Sequence, residues 1–230
     1  LSYSDFKKLN ALCCKKRIEF LSTPFEEKSA DFLEEMDVQA FKIPSGEITN
    51  LPFLRHVGGK KKPIILSTGM SNLGEIERAI NTIYDAGNTE VVILHCVSQY
   101  PAPADQMNLR AIETLRCAFA LPVGLSDHSE GQEIALAAIG LGARIIEKHF
   151  TLDKNMAGPD HKASLDPIEL KKMISGIRIV ECALGDGKKR LMPCENNTAK
   201  AARKSLFAKE HIRLGQIISE ENVCQRRPGT

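Results

Sequence analysis

Short apolar runs alternate along this chain with longer amphipathic stretches. The runs are IEFLSTPF (18–25), AFKIPSGE (40–47), PIILSTGM (63–70), VVILHCVS (91–98), PVGLSDHS (122–129) and RIIEKHFT (144–151). Their spacing is about the length of one βα unit. Near-continuous Val, Ile, Leu and Phe is what a parallel strand carries when both its faces are covered. The stretches between them read as helices. Leu73, Ile76, Ile80, Ile83 and Tyr84 fall at helical spacing behind Ser71 or Asn72 as N-cap. Ile134, Ala135, Ala138 and Ile139 form a second face, and Leu170, Met173, Ile174, Ile177 and Val180 a third. The third begins at Asp166-Pro167, an N-cap followed by proline at the first helical position, and stops at Gly185.

Six strands alternating with helices predict an α/β fold. An open doubly wound sheet and a closed barrel both fit. The barrel needs eight strands, and no GxGxxG follows any strand to favour a dinucleotide-binding sheet. After Gly185 the pattern changes. A polar linker, Asp186 to Asn197, leads to a tail that reads as a strand from Ser205, a turn at Gly215 and a second strand through Ile217 and Ile218.

The strands are polar at their C-terminal ends, where parallel α/β folds collect their functional groups. Those ends pool Ser22, Thr23, Lys42, Ser45, Glu47, Ser67, Thr68, Ser98, Gln99, Tyr100, Ser126, Asp127, His128, Glu147, Lys148 and His149. Hydroxyls and lysines suit a phosphate or carboxylate, and two histidines on successive strands suit a divalent metal. Each has a plainer reading. His128 or His149 alone is equally a satisfied polar residue at a strand end, and Ser67-Thr68-Gly69 is equally a capped turn. His95 reads as structural. Lys42 alternates with Phe41 and Ile43, so it points to the other face. A buried lysine is costly without an anion, which favours an anion site there.

Composition narrows the class. The chain has 230 residues, 43% hydrophobic and 26% charged, with a net charge of +2. This is a globular composition with room for a core, and too balanced in charge for nucleic acid as the main partner. Lys60-Lys61-Lys62 and Lys188-Lys189-Arg190 read as solvated turns. The longest apolar stretch, Ile134 to Ile146, is interrupted by Arg144 and too short to span a bilayer, so no membrane role is expected. Seven cysteines without a CxxC pair read as reduced thiols of a cytoplasmic protein.

FKIPSGE, ILSTGM, LHCVSQYP, GLSDHS, EKHFTLDK and GPDHKASLDP, in this order and spacing, resemble the sialic acid synthases, including the legionaminic acid synthases. The resemblance implies a TIM (β/α)8 barrel with a small C-terminal SAF (antifreeze-like) domain. On that plan residues 1–185 hold six of the eight strands, 186–197 the linker, and 198–230 the beginning of the SAF domain. Two strands carrying a glutamate and a lysine would precede residue 18, so the resemblance casts the chain as trimmed at both ends.

The implied reaction condenses phosphoenolpyruvate with an N-acetylmannosamine-type sugar, giving a nine-carbon 2-keto acid and phosphate. The resemblance assigns Mn2+ or Mg2+ to His128 and His149, as a Lewis acid on the sugar aldehyde. It places Thr23, Lys42, Ser45, Ser67 and Ser126 around phosphoenolpyruvate. Ser98 stands where the family often has asparagine. Glu47 and Asp160 are the implied catalytic carboxylates and face the sugar with Tyr100. Arg227 would reach the N-acetyl group across a domain-swapped homodimer. Two other readings stay open: a catalytically incompetent fragment serving as a binding or assembly module, and a generic metal-dependent aldolase barrel.

Overall fold

A computed structural model describes residues 1–227. The chain divides into two compact units, Leu1–Leu184 and a second from Gly185 onward. The first holds a parallel sheet of β1 (Phe41–Ile43), β2 (Ile64–Ser67), β3 (Val91–Cys96), β4 (Val123–Asp127) and β5 (Ile146–Lys148). Its helices are α1 (Tyr3–Lys16), α2 (Glu27–Glu35), α3 (Leu51–Gly59), α4 (Leu73–Asp85), α5 (Ala111–Phe119), α6 (Glu133–Gly140) and α7 (Pro167–Leu184).

The strand order is β1-β2-β3-β4-β5, all pairs parallel. Every crossover therefore steps in the same direction. A doubly wound sheet reverses direction at a switch point; this sheet does not, so it is an arc of the barrel type. The arc is curled. Lys42 Nζ on β1 lies 3.5 Å from Glu147 Oε2 on β5, although four strand spacings would separate these strands by about 19 Å on a flat sheet.

Period-two alternation explains the layering. Phe41, Ile43, Ile64, Leu66, Ile93 and Leu125 face the helices and are completely buried, each worth about 1.5–3 kcal/mol in apolar transfer. The alternate residues, including Lys42, Ser67, Cys96, Ser126 and Glu147, face the concave side. Gly124 lies there because a Cβ would stand 2.5 Å from the Ile145 carbonyl oxygen and 2.6 Å from Leu94 Cδ2.

Local signals set the helix ends. Asn72 caps α4 in a reciprocal box with Glu75, at 3.0 and 2.9 Å. Asp166 Oδ1 accepts from the Ile168 and Glu169 amides, both at 2.8 Å, and starts α7. Helix α1 has the same kind of box, between Ser2 and Asp5. No described helix is long and apolar enough to cross a membrane.

Three expectations are corrected. Residues 18–25 form no strand, so the described sheet has five strands, not six. Pro24 lacks an amide donor, and Ile18, Leu21 and Phe25 are exposed while Phe20 alone of the four packs on the core. In the second unit, β6 (Ser205–Ala208) pairs antiparallel with β7 (Val223–Arg226). The second strand is thus not Ile217-Ile218. Asn222 holds that segment in a loop, donating to the Ile217 carbonyl at 2.8 Å and accepting from the Ser219 amide at 3.0 Å. The turn at Gly215 is present, with φ +83°. Finally, the stretch read as linker carries a 3-10 turn, Pro193–Glu195, and the start of α8 (Asn196–Ala202). Residues 228–230 of the expected SAF segment lie outside the described residues.

Candidate active site at the strand ends

Five strands deliver polar side chains to one concave mouth. On β1, Lys42 is buried, and its Nζ donates to Ser67 Oγ at 2.8 Å and to the Ile43 carbonyl at 3.1 Å. Burial holds its pKa below the usual lysine value, an effect partly offset by the Glu147 carboxylate. Glu147 also accepts from Ser126 Oγ at 2.7 Å. The β4–β5 register places these two opposite each other, Ser126 beside Glu147 and Asp127 beside Lys148. One carboxylate therefore bridges the lysine of β1 and the serine of β4.

Ser45 joins from the turn after β1, its Oγ accepting from the Gly69 amide at 2.8 Å. Gly69 permits this approach. A Cβ there would come within 2.8 Å of Ser45 Oγ and 3.2 Å of Cys96 Sγ, and closer still to Ser98 Oγ. Cys96 is buried and contacts Ser98 Oγ at 3.9 Å and His128 Nδ1 at 3.8 Å.

His128 and His149 stand one residue beyond the last β4–β5 pair, with ring centroids 5.3 Å apart. Tyr100 lies against both, at 4.1 and 5.5 Å. His128 Nδ1 donates to the Val97 carbonyl at 2.8 Å, which fixes the tautomer and leaves Nε2 as a lone-pair donor. Burial opposes charge on His128, but Cys96 and the Val97 carbonyl outweigh it and hold the pKa above the usual imidazole value. Burial and the facing His128 hold His149 below it. Asp160 Oδ2 lies 3.7 Å from His149 Nδ1. The donor set, two imidazoles with one locked by a carbonyl, suits a borderline divalent ion. Among the described residues no group of three or more His, Cys, Asp and Glu is arranged to hold a metal, so these two would share the ion with water or substrate.

The structure thus brings Lys42, Ser45, Ser67, Ser98, Tyr100, Ser126, His128, His149 and Asp160 into one chain of contacts. Glu47 and Thr23 make no side-chain hydrogen bond to these nine among the described residues. Glu47 accepts from Asn50 Nδ2 at 2.7 Å, ahead of α3. Thr23, in the unpaired segment 18–25, makes no hydrogen bond among the described residues. Arg227 is exposed in the second unit. Glu147, pooled with the strand ends but given no role by the sequence, is the hub. The available signal was its alternation with His149 on one strand face. His95 is structural, its Nε2 donating to the Met107 carbonyl at 2.7 Å.

Comparison with known proteins agrees with this architecture. The chain is 53% identical over 216 residues to the N,N'-diacetyllegionaminic acid synthase of Campylobacter jejuni, covering 93% of this chain and 65% of that protein. It is 45% identical over 234 residues to the N,N'-diacetyllegionaminic acid synthase of Legionella pneumophila, covering 100% of this chain and 66% of that one. The chain thus spans about two thirds, or slightly less, of the length of these relatives. Among solved structures, the N-acetylneuraminic acid synthetase of Leptospira borgpetersenii superposes with a TM-score of 0.81 at 36% identity, over 87% of this chain and 70% of that one. The model of the NeuB family matches residues 1–189. With a matching sheet, matching motifs and a family model over most of its length, the chain belongs to the NeuB family.

Proposed function

We propose that this chain carries the reaction face of a synthase that condenses phosphoenolpyruvate with an N-acetylmannosamine-type sugar. The products are a nine-carbon 2-keto acid of the sialic or legionaminic type and inorganic phosphate. The observation that carries the reading is the Lys42–Glu147–Ser126 network beside the His128–His149 pair, all at the carboxyl ends of parallel strands. The names of the Campylobacter and Legionella relatives support the substrate class.

Phosphoenolpyruvate is a multiply charged anion, and a lysine with several hydroxyls is a preorganised cradle for it. Lys42, Ser45, Ser67 and Ser126 take its phosphate and carboxylate. Lys42 is held in place by Ser67 and the Ile43 carbonyl, so little side-chain entropy remains to be lost on binding. Ser98 contributes at most one short hydrogen bond. Its hydroxyl contacts Cys96, not Lys42.

His128 and His149 hold Mn2+ or Mg2+, which when bound supplies Lewis-acid polarisation of the sugar aldehyde. The chain's own groups do the positioning. Tyr100 covers both imidazoles, and Asp160 approaches His149 to 3.7 Å. In the balanced reaction C3 of phosphoenolpyruvate bonds to the aldehyde carbon, water adds at C2, and the C2–O bond to phosphate breaks.

We further propose that residues 198–230 open an SAF domain, a reading supported by the β6–β7 hairpin. In the domain-swapped homodimer that this implies, Arg227 reaches the sugar. Seven free cysteines favour a reducing, cytoplasmic setting.

The test is phosphate release by the gene product that contains this chain. Release that requires both an N-acetylated mannosamine-type sugar and Mn2+ or Mg2+ is the expected result. Release indifferent to the sugar, or none with any such sugar, would overturn the proposal.

A further inference from the structure

Asp127 and Lys148 lie between the site residues in sequence yet point away from the site. Ser126 and His128 face the concave side, as do Glu147 and His149; the residues between them face the helices. There Asp127 and Lys148 form a cross-strand ion pair, with Oδ2 2.8 Å from Nζ and the two side chains 0% and 3% exposed. Asp127 Oδ1 also accepts from the Ser129 amide at 2.9 Å and from Ser129 Oγ at 2.6 Å. Lys148 Nζ donates in addition to the Ser129 carbonyl. Every polar atom of the pair is thus tied to the residues that flank the two histidines.

This pair is the last rung of the β4–β5 ladder. Beyond it, His128 and His149 have no ladder bonds between them. Outside the ladder, their carbonyls are held by separate neighbours, that of His128 by the Ala102 amide at 3.0 Å and that of His149 by the Leu165 amide at 2.9 Å. Neither bond relates one histidine to the other. The ion pair does. An apolar pair of similar volume commonly gives as much stability as a buried ion pair, or more, so stability alone does not account for a charge pair here. What it supplies is direction, with four hydrogen bonds of fixed geometry at one point.

We infer that Asp127 and Lys148 are positioning residues: their buried pair sets the separation and facing of the two imidazoles, and hence the affinity of the site for a divalent ion. The metal half of this inference rests on the proposed function; the imidazole half stands on geometry alone.

The experiment compares the unsubstituted chain with the double variant Asp127→Leu/Lys148→Met, which keeps the branched shape of the carboxylate and leaves no unpaired charge. Lys148→Arg, which keeps a cationic donor, serves as the conservative control. Three quantities are read: thermal midpoint, Mn2+ affinity by titration, and the NMR cross-peaks between the rings of His128 and His149. The double variant should keep or raise its thermal midpoint while Mn2+ affinity falls by about 10–100-fold and the ring–ring cross-peaks weaken. Lys148→Arg should recover most of both. Unchanged Mn2+ affinity and unchanged cross-peaks in a folded double variant would overturn the inference. If the unsubstituted chain takes up no Mn2+, the metal reading falls, and the cross-peaks alone decide the clamp. If the double variant does not fold, Asp127→Asn/Lys148→Met, which removes both charges and keeps an acceptor for Ser129, decides: a displaced ring pair supports the clamp, and unchanged cross-peaks with unchanged Mn2+ affinity contradict it.

Discussion

Lys42 and Glu147 belong to strands at opposite edges of a five-stranded sheet, yet their charged atoms lie 3.5 Å apart. Only a curled sheet allows this. The contact therefore reports the barrel-type arc and sets a carboxylate beside the lysine of the proposed anion site.

Because Lys42 must be charged to bind an anion, this pair predicts a pH dependence. Burial lowers the lysine's pKa and Glu147 raises it. Phosphoenolpyruvate affinity should fall as pH rises through the Lys42 pKa. In Glu147→Gln the opposing influence is lost, so the pKa drops further and the alkaline limb moves to lower pH. Calorimetric titration from neutral to alkaline pH checks this. A limb in the same place in both proteins would show that Glu147 does not sustain the charge.

Gly69 sits where β2, Ser45 and Ser98 converge. Gly69→Ala overpacks this point and should cost about 1–3 kcal/mol, read as a lower denaturation midpoint with weaker phosphoenolpyruvate binding. Ser98→Ala in the same background removes the nearest obstacle and should restore part of both. An unperturbed Gly69→Ala protein would contradict the packing described.

Far from the mouth, Lys60 Nζ on α3's C-cap reaches Asp31 at 2.5 Å and Glu34 at 2.8 Å on α2, and His56 Nε2 reaches Asp31 at 2.6 Å. Hydrogen bonds first from Lys60 and then from His56 hold the Asp31 pKa below the usual carboxylate value. A carboxylate with a depressed folded-state pKa stabilises above its unfolded pKa, and the stabilisation is lost as pH falls through the folded value. Asp31→Asn should therefore be less stable than the unsubstituted chain at neutral pH. The difference should begin to shrink as pH falls below about 4 and vanish once pH is below the lowered folded value. Denaturant melts at several pH values measure it, and a difference that persists in acid would contradict the assignment.

Much of this was legible in the sequence, for physical reasons. Strands β1 to β5 announce themselves because doubly covered strands carry continuous apolar runs, and the ends of α4 and α7 because capping is local chemistry. Period-two alternation on adjacent strands puts residues 128 and 149 on one face and turns Asp127 and Lys148 to the other. Residues 18–25 carry the same apolar signal without being a strand, since pairing depends on a partner the local sequence does not specify. Ile217-Ile218 misleads in the same way: β-branched residues favour extension, but Asn222 folds their segment into a loop. Glu147 had no readable role, because its position at the hub follows from the β4–β5 register and the curl of the sheet. The Ser2–Asp5 box of α1 was readable and is a missed local signal.

On the proposed reading, two imidazoles from neighbouring strands hold one divalent ion. Mn2+ titration of the chain and of His128→Ala and His149→Ala, followed by electron paramagnetic resonance, tests it most directly. A single site is expected in the unsubstituted chain, with a loss of about a hundredfold in each variant. Equal Mn2+ affinity in all three proteins would contradict it.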